Sequence, residues 1–290
     1  MPLITGGLGD DVIACAAGVA ADTTVNGGAG DDRITVTGGS VAGSVYGGAG
    51  ADIIQVTAPT STSDGVTAVT RTVRGGTPLL SAALDGNDTI TASTATSSAG
   101  KAVTGTVIGD AGNDSITAIG GDSNQNPAVG VDDGGSVQGG AGADEITING
   151  GSSDETEGRE SAVGSTGEVR GGGLLDGTDI ISLYSFSRGT LAGDGGDDAI
   201  RGPANGGSAL GGAGDDLLEF NTNGEPGVGG TADGGEGNDD ISVAENDKDV
   251  LGDGGDDTIS VYIRNDGLVD GVTGIDQCTV TAGNAAVNCP

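Results

Sequence analysis

The chain has no histidine and no tryptophan, only 2 phenylalanines and 3 tyrosines, and 10 basic residues against 43 acidic ones, for a formal charge of −33 over 290 residues. Each scarcity excludes something. Without histidine the commonest general acid–base, the nucleophile–histidine pair and most transition-metal sites are gone. A surface this acidic repels the phosphate backbone, so nucleic acid and anionic membranes are poor partners. No apolar stretch approaches the ~18 residues of a membrane span, so membrane insertion is not expected, and the opening MPLITGGLGD lacks the charged and apolar regions of a secretory signal. Three cysteines, Cys15, Cys278 and Cys289, are too few for a disulfide framework and have no zinc-type spacing. With so few large apolar side chains the buried area per residue is small, and uncompensated carboxylates repel one another. Composition alone reads as disorder. A folded state needs an outside source of positive charge, and carboxylate and carbonyl oxygens suit a hard multivalent cation.

What the chain does have is glycine, 62 residues of it, arranged in one recurring pattern. The copies are GGLGDDVIA from Gly6, GGAGDDRIT from Gly27, GGAGADIIQ from Gly47, GDAGNDSIT from Gly109, GGAGADEIT from Gly139, GDGGDDAIR from Gly193, GGAGDDLLE from Gly211, GGEGNDDIS from Gly234 and GDGGDDTIS from Gly252. Two further copies, ALDGNDTIT from Ala83 and LLDGTDIIS from Leu174, lack the leading glycine pair. Each has VRGG a few residues upstream (Val73 to Gly76, Val169 to Gly172), as if an insertion had split the turn. A degenerate copy, GVTGIDQCT, starts at Gly271.

Written as G-G-x-G-x-D-x-U-x, position eight reads Ile13, Ile34, Ile54, Ile90, Ile116, Ile146, Ile181, Ile200, Leu218, Ile241 and Ile259. Only an inward-facing ladder needs such uniformity. Position ten, on the same face of a strand, is mostly apolar, and so is the second residue before the motif (Ile4, Val25, Val45, Val107, Val137, Leu191, Val250). Each coil is therefore turn, strand, back turn, strand, and the shortest motif intervals, 193 to 211 and 234 to 252, set a minimal coil. The excess in longer coils falls after the strand, in Ala58 to Arg71, Gly120 to Gly135 and Gly150 to Gly167, which read as loops on the back edge. The chain reads as one elongated all-β domain over 1–290: a lead-in strand at 1–5, eleven coils over 6–270 and a degenerate coil at 271–290. About a dozen coils at ~4.8 Å spacing make a rod roughly 55 Å long.

This nonapeptide resembles the calcium-binding repeat of the RTX family, over nearly the whole chain from Gly6 to Val280. The resemblance implies a right-handed parallel β-solenoid in which the first six residues form a turn, the last three a short strand, and calcium lies between stacked turns. Its ligands would be the position-six aspartates Asp11, Asp32, Asp52, Asp88, Asp114, Asp144, Asp179, Asp198, Asp216, Asp239 and Asp257, with Asp276 a weaker twelfth. Backbone carbonyls of the turn glycines, from Gly6, Gly27, Gly47, Gly109, Gly139, Gly193, Gly211, Gly234 and Gly252, complete the shell. The chemistry of each position agrees: glycine permits strained backbone and close approach of coils, and aspartate is short enough to reach back into its turn. Asp or Asn at position five (Asp10, Asp31, Asn87, Asn113, Asp197, Asp215, Asn238, Asp256) reads as a left-handed turn former bonding within the turn. Asp110, Asp194 and Asp253 at position two are candidate extra ligands. In tandem arrays of the family the motif recurs every nine residues and calcium lies along both edges. Here it recurs once per coil, so calcium is expected on one edge, with up to about ten ions.

The functional expectation is a secreted, extracellular or cell-surface structural protein, not an enzyme: a calcium-stiffened subunit of a filament, matrix or surface layer. Homo-oligomers would form through the solenoid ends, because the first motif begins at Gly6 with no capping segment before it. The alternative is a calcium-dependent adhesin, or a carbohydrate- or ice-binding module. It would act through the back-edge loops or an outward threonine face (Thr35, Thr37, Thr91, Thr117, Thr147), with cell-surface or polysaccharide contact. Cys15, at an inward position, is expected to pack as a small apolar residue, and Cys278 and Cys289 could close a disulfide.

Overall fold

A computed structural model of the protein describes residues 2–59, 66–76, 84–94, 100–121, 128–150, 161–173, 177–224 and 229–289. The starts of the two split copies, Ala83 and Leu174, and parts of the back-edge segments lie outside these. Among the described residues every regular element is a β-strand and every strand pairing is parallel: two sheets of 12 strands and one of 4. Each coil gives one strand to each large sheet, so the chain is a parallel β-solenoid of twelve coils.

Alternation explains both large sheets. In the first, Ile4, Val25, Val45, Val73, Val107, Val137, Val169, Leu191, Ala209, Ala232, Val250 and Val269 stand in one inward column. In the second, the position-eight column runs unbroken from Ile13 to Ile259 and ends at Cys278. Stacking like on like brings each isoleucine onto the next at inter-coil distance, and full burial of such a side chain contributes about 1.5–3 kcal/mol. Position ten varies more and compensates locally. Gly202 leaves room between Leu183 and the fully buried Phe220.

Strands of the first sheet extend further into the motif than the six-residue turn expected. The first two strands of this sheet are Leu3–Leu8 and Thr24–Ala29, so positions one to three are paired strand and the lead-in strand does not stop at residue 5. Only positions four to six turn.

The back edge departs from expectation in substance. The three segments expected as loops each contain a strand, Val66–Val69, Val129–Val131 and Ser161–Val163, and these form the third sheet together with Gly100–Val103. Isolated bridges extend it in both directions. The result is one column through all twelve coils: Val19, Val41, Val69, Val103, Val131, Val163, Ser187, Asn205, Asn223, Asn246, Asn265 and Gly283. Its chemistry changes midway. Where coils are long, valines seal a third wall of the core. Where coils are short, buried asparagines turn the chain and bond to one another, Asn205 Nδ2 to Asn223 Oδ1 at 3.0 Å, Asn223 to Asn246 at 2.9 Å and Asn246 to Asn265 at 2.8 Å.

The two ends differ. The first coil exposes Leu3, Ile4, Leu8 and Val12, with Leu8 92% exposed. In the last coil Cys278 and Cys289 are bonded, drawing the segment around Ala286 back against the core. Cys15 is half-buried against the core, as expected, and burial pushes its thiol pKa up.

Candidate cation-binding edge

Every position-six aspartate stacks along one edge of the solenoid. From Asp32 onward each accepts, on Oδ1, the backbone N–H of its counterpart in the preceding coil: Asp32 from Asp11 at 2.8 Å, Asp52 from Asp32 at 2.7 Å, and so on to Asp276 from Asp257 at 3.0 Å. Parallel strands need evenly spaced inter-coil bonds. At the turn the backbone carbonyl cannot supply one, and the carboxylate stands in.

The second carboxylate oxygen points inward, against the bare Cα of its own position-one glycine. A methyl at Gly27 would overlap both the Asp32 carboxylate and the Gly47 carbonyl of the next coil; Gly47, Gly109 and Gly252 are closed in the same way, and Gly234 is closed by the Asp239 carboxylate. The same crowding identifies the glycines of the split copies. Gly75 lies against Asp88 and Gly171 against Asp179, so the VRGG pairs take positions one and two and the insertion does split the turn.

Nine of these inner oxygens have no hydrogen-bond partner: the buried Oδ2 of Asp11, Asp32, Asp52, Asp88, Asp114, Asp216, Asp239, Asp257 and Asp276. Burial dominates the titration of seven of them. Together with neighbouring carboxylates it holds Asp52, Asp114, Asp216 and Asp239 at about 7 and Asp88 at about 9, against the weaker lowering effect of the backbone N–H, and it also raises Asp32 and Asp257. An unpaired buried carboxylate is costly, so this line of oxygens requires protons or cations.

A hard divalent cation would take oxygens of this kind. At most steps one carboxylate Oδ2 and the position-one carbonyl of the following coil lie against the same glycine Cα, as at Gly27, Gly47, Gly109 and Gly211. Among the described residues no three acidic or cysteine side chains gather at one point, so backbone carbonyls would form most of a six- to eight-oxygen shell. Bound calcium would supply the positive charge that the aspartates lack.

Other expected site residues are placed differently. Position-five side chains bond the next coil and not their own turn: Asp10 accepts from Asp31 N–H at 3.0 Å, Asn87 from Asn113 at 2.9 Å and Asp215 from Asn238 at 2.8 Å. Nor are they left-handed. Positive φ outside glycine falls on position two, at Asp110, Asp194, Asp253 and Val272, and on Asn288. Asp110 and Asp194 are spent on Arg74 and Arg170 and not on the inner oxygens. Asp253 sits beside Asp233, whose carboxyl is raised to about 6 by burial and that neighbour. The buried asparagine column was not anticipated at all.

These features define a parallel β-solenoid with a buried carboxylate spine. Comparison of the chain with family models, curated proteins and solved structures finds no match.

Proposed function

We propose that the protein is a calcium-dependent structural rod of the extracellular space, folded and stiffened by cations along its aspartate edge and able to add end to end to further copies. The observation that supports the cation is the line of buried, unpartnered Oδ2 atoms, one per coil at each of nine aspartates. Extracellular calcium is abundant enough to fill weak, oxygen-rich sites, whereas resting cytosolic calcium is not. End-to-end addition draws support from the repeat itself: every coil stacks on the next through parallel strand edges, so a terminal coil offers edges on which a coil of another copy could stack. The reading assigns no catalytic step. Negative-stain microscopy in millimolar calcium and in chelator checks it: filaments or end-to-end oligomers are expected with calcium, and strictly monomeric particles at millimolar calcium count against assembly.

One observation favours a second reading as a binding module. On the outer face of the second sheet Thr91, Thr117, Thr147 and Ser182 stand in register, an uncharged hydroxyl row bounded by Gln55 and Arg201. Such a row suits contact with an ordered hydroxylated surface such as polysaccharide or ice. Deleting residues 122–127, which spares the strand Val129–Val131, and separately replacing Thr117 by Glu, distinguishes the two readings. Assembly through the ends survives both changes; binding through the loops or the hydroxyl row does not.

A further inference from the structure

Of the twelve coils, two have a turn split by an insertion, and the same two carry arginine just before the glycine pair, Arg74 and Arg170. The matching residues elsewhere are Thr5, Asn26, Tyr46, Ile108, Gln138, Ala192, Leu210, Asp233, Leu251 and Asp270, none of them basic. Each arginine also meets an aspartate at position two of the following coil. Arg74 Nε lies 2.9 Å from Asp110 Oδ2 and 3.1 Å from its Oδ1, with a second guanidinium nitrogen on Oδ1, and the two side chains are only 23% and 13% exposed. Arg170 bonds Asp194 Oδ1 at 2.6 Å and Glu168 at 2.5 Å. On the returning side of the first insertion, Asp85 feels the Arg74 charge, touches Gly76 across the insertion mouth and accepts the Ala111 N–H of the next coil at 3.1 Å.

A tight turn fixes its own two ends, and an insertion between positions two and three removes that constraint. The loop must then be closed against its entropy by another contact. A partly buried, forked guanidinium–carboxylate pair is among the strongest available, and it spans the outgoing strand and the next coil at the place where the constraint was lost.

We propose that Arg74 and Arg170 are ion-independent clamps, closing the steps between the fourth and fifth and between the seventh and eighth coils where the turns are split, while the unsplit steps depend on bound cations. The contrast between steps rests on the calcium reading; the clamp itself does not. Hydrogen–deuterium exchange of the whole protein, in millimolar calcium and in excess chelator, tests it. In chelator the amides of 109–112 and 193–196 are expected to exchange about tenfold more slowly than those of 234–237 and 252–255. Arg74→Met abolishes the difference at 109–112 only, and Arg170→Met at 193–196 only, so each variant controls for the other. Equal exchange at all four turns in chelator, or no local change in either variant, overturns the proposal. Were calcium to protect no turn, the calcium reading would fail, and the clamp would stand or fall on the local effects of the two variants.

Discussion

At each turn a carboxylate reaches a place that water does not, and the residue opposite it must be glycine. Asp88 shows the consequence most sharply. It is 1% exposed, its Oδ1 takes the Asp52 N–H at 2.7 Å, and burial lifts its pKa to about 9. A carboxyl whose folded pKa lies above its unfolded value holds its proton more tightly in the folded chain. Its stabilisation is fully present below the unfolded value, near 4, and is lost as pH rises through the folded value. Asp52 and Asp114 therefore lose theirs by about 7 and Asp88 by about 9. In chelator the melting temperature is expected to be highest near pH 4 to 5 and to fall steadily towards pH 9. In saturating calcium the trend reverses, because the ion requires the ionised carboxylate. Asp88→Asn keeps an acceptor for the Asp52 N–H and removes the titration, so it should flatten the slope in chelator. A melting temperature in chelator that rises from pH 5 to 9 would contradict this account.

Among the strands, the inward columns at position eight and at the second residue before the motif were legible in the sequence, because period-two alternation with one invariant apolar position has no other economical explanation. The third sheet was not. Its strands are three or four residues long and lie in segments rich in serine, threonine and glycine, and short valine-containing runs such as Val129–Val131 are too brief for a period. The asparagine column escaped for a related reason: Asn205, Asn223, Asn246 and Asn265 are each followed by turn residues, and an asparagine before a turn reads as exposed turn chemistry. Only the register reveals that the four stack, all at 0% exposure. Of the candidate site, the aspartates could be read from the repeat, but not the direction of their oxygens, since backbone conformation decides that. The asparagine column also has a measurable weight. Asn223 Nδ2 donates to Asn246 Oδ1 and to the Asp249 carbonyl at 2.9 Å, and its Oδ1 accepts from Asn205. Asn223→Ala leaves buried groups unpaired on both sides, with an expected loss of about 3 kcal/mol in calcium. Valine, which fills the same column in the long coils, should rescue little, because the stranded partners are polar. Denaturant titration of both variants checks this, and a loss below about 0.5 kcal/mol would show the ladder to be ornamental.

For the molecule as a whole, charge is the controlling quantity, and two kinds of repulsion must be separated. A net −33 spread over the surface opposes any compact state, and salt relieves it, since the Debye length shrinks from about 10 Å at 0.1 M to about 3 Å at 1 M. The aspartate spine is different. Its carboxylates succeed one another at roughly the 4.8 Å coil spacing, are 1–3% exposed from Asp32 to Asp276, and lie where mobile ions cannot screen them. Removing bound cations at pH 8 should therefore greatly loosen the rod outside its two arginine-clamped turns, with loss of most of the strand signal in far-ultraviolet circular dichroism and a larger radius of gyration in solution scattering. Molar sodium chloride should restore little of the signal, and millimolar calcium nearly all of it, because only a dehydrated ion held by the turn oxygens reaches the buried charge. Recovery in sodium chloride equal to that in calcium would locate the repulsion at the surface and leave the spine without a cation requirement. A spectrum unchanged by chelator at pH 8 would remove the requirement altogether, leaving protons on the aspartates as the remaining source of neutrality.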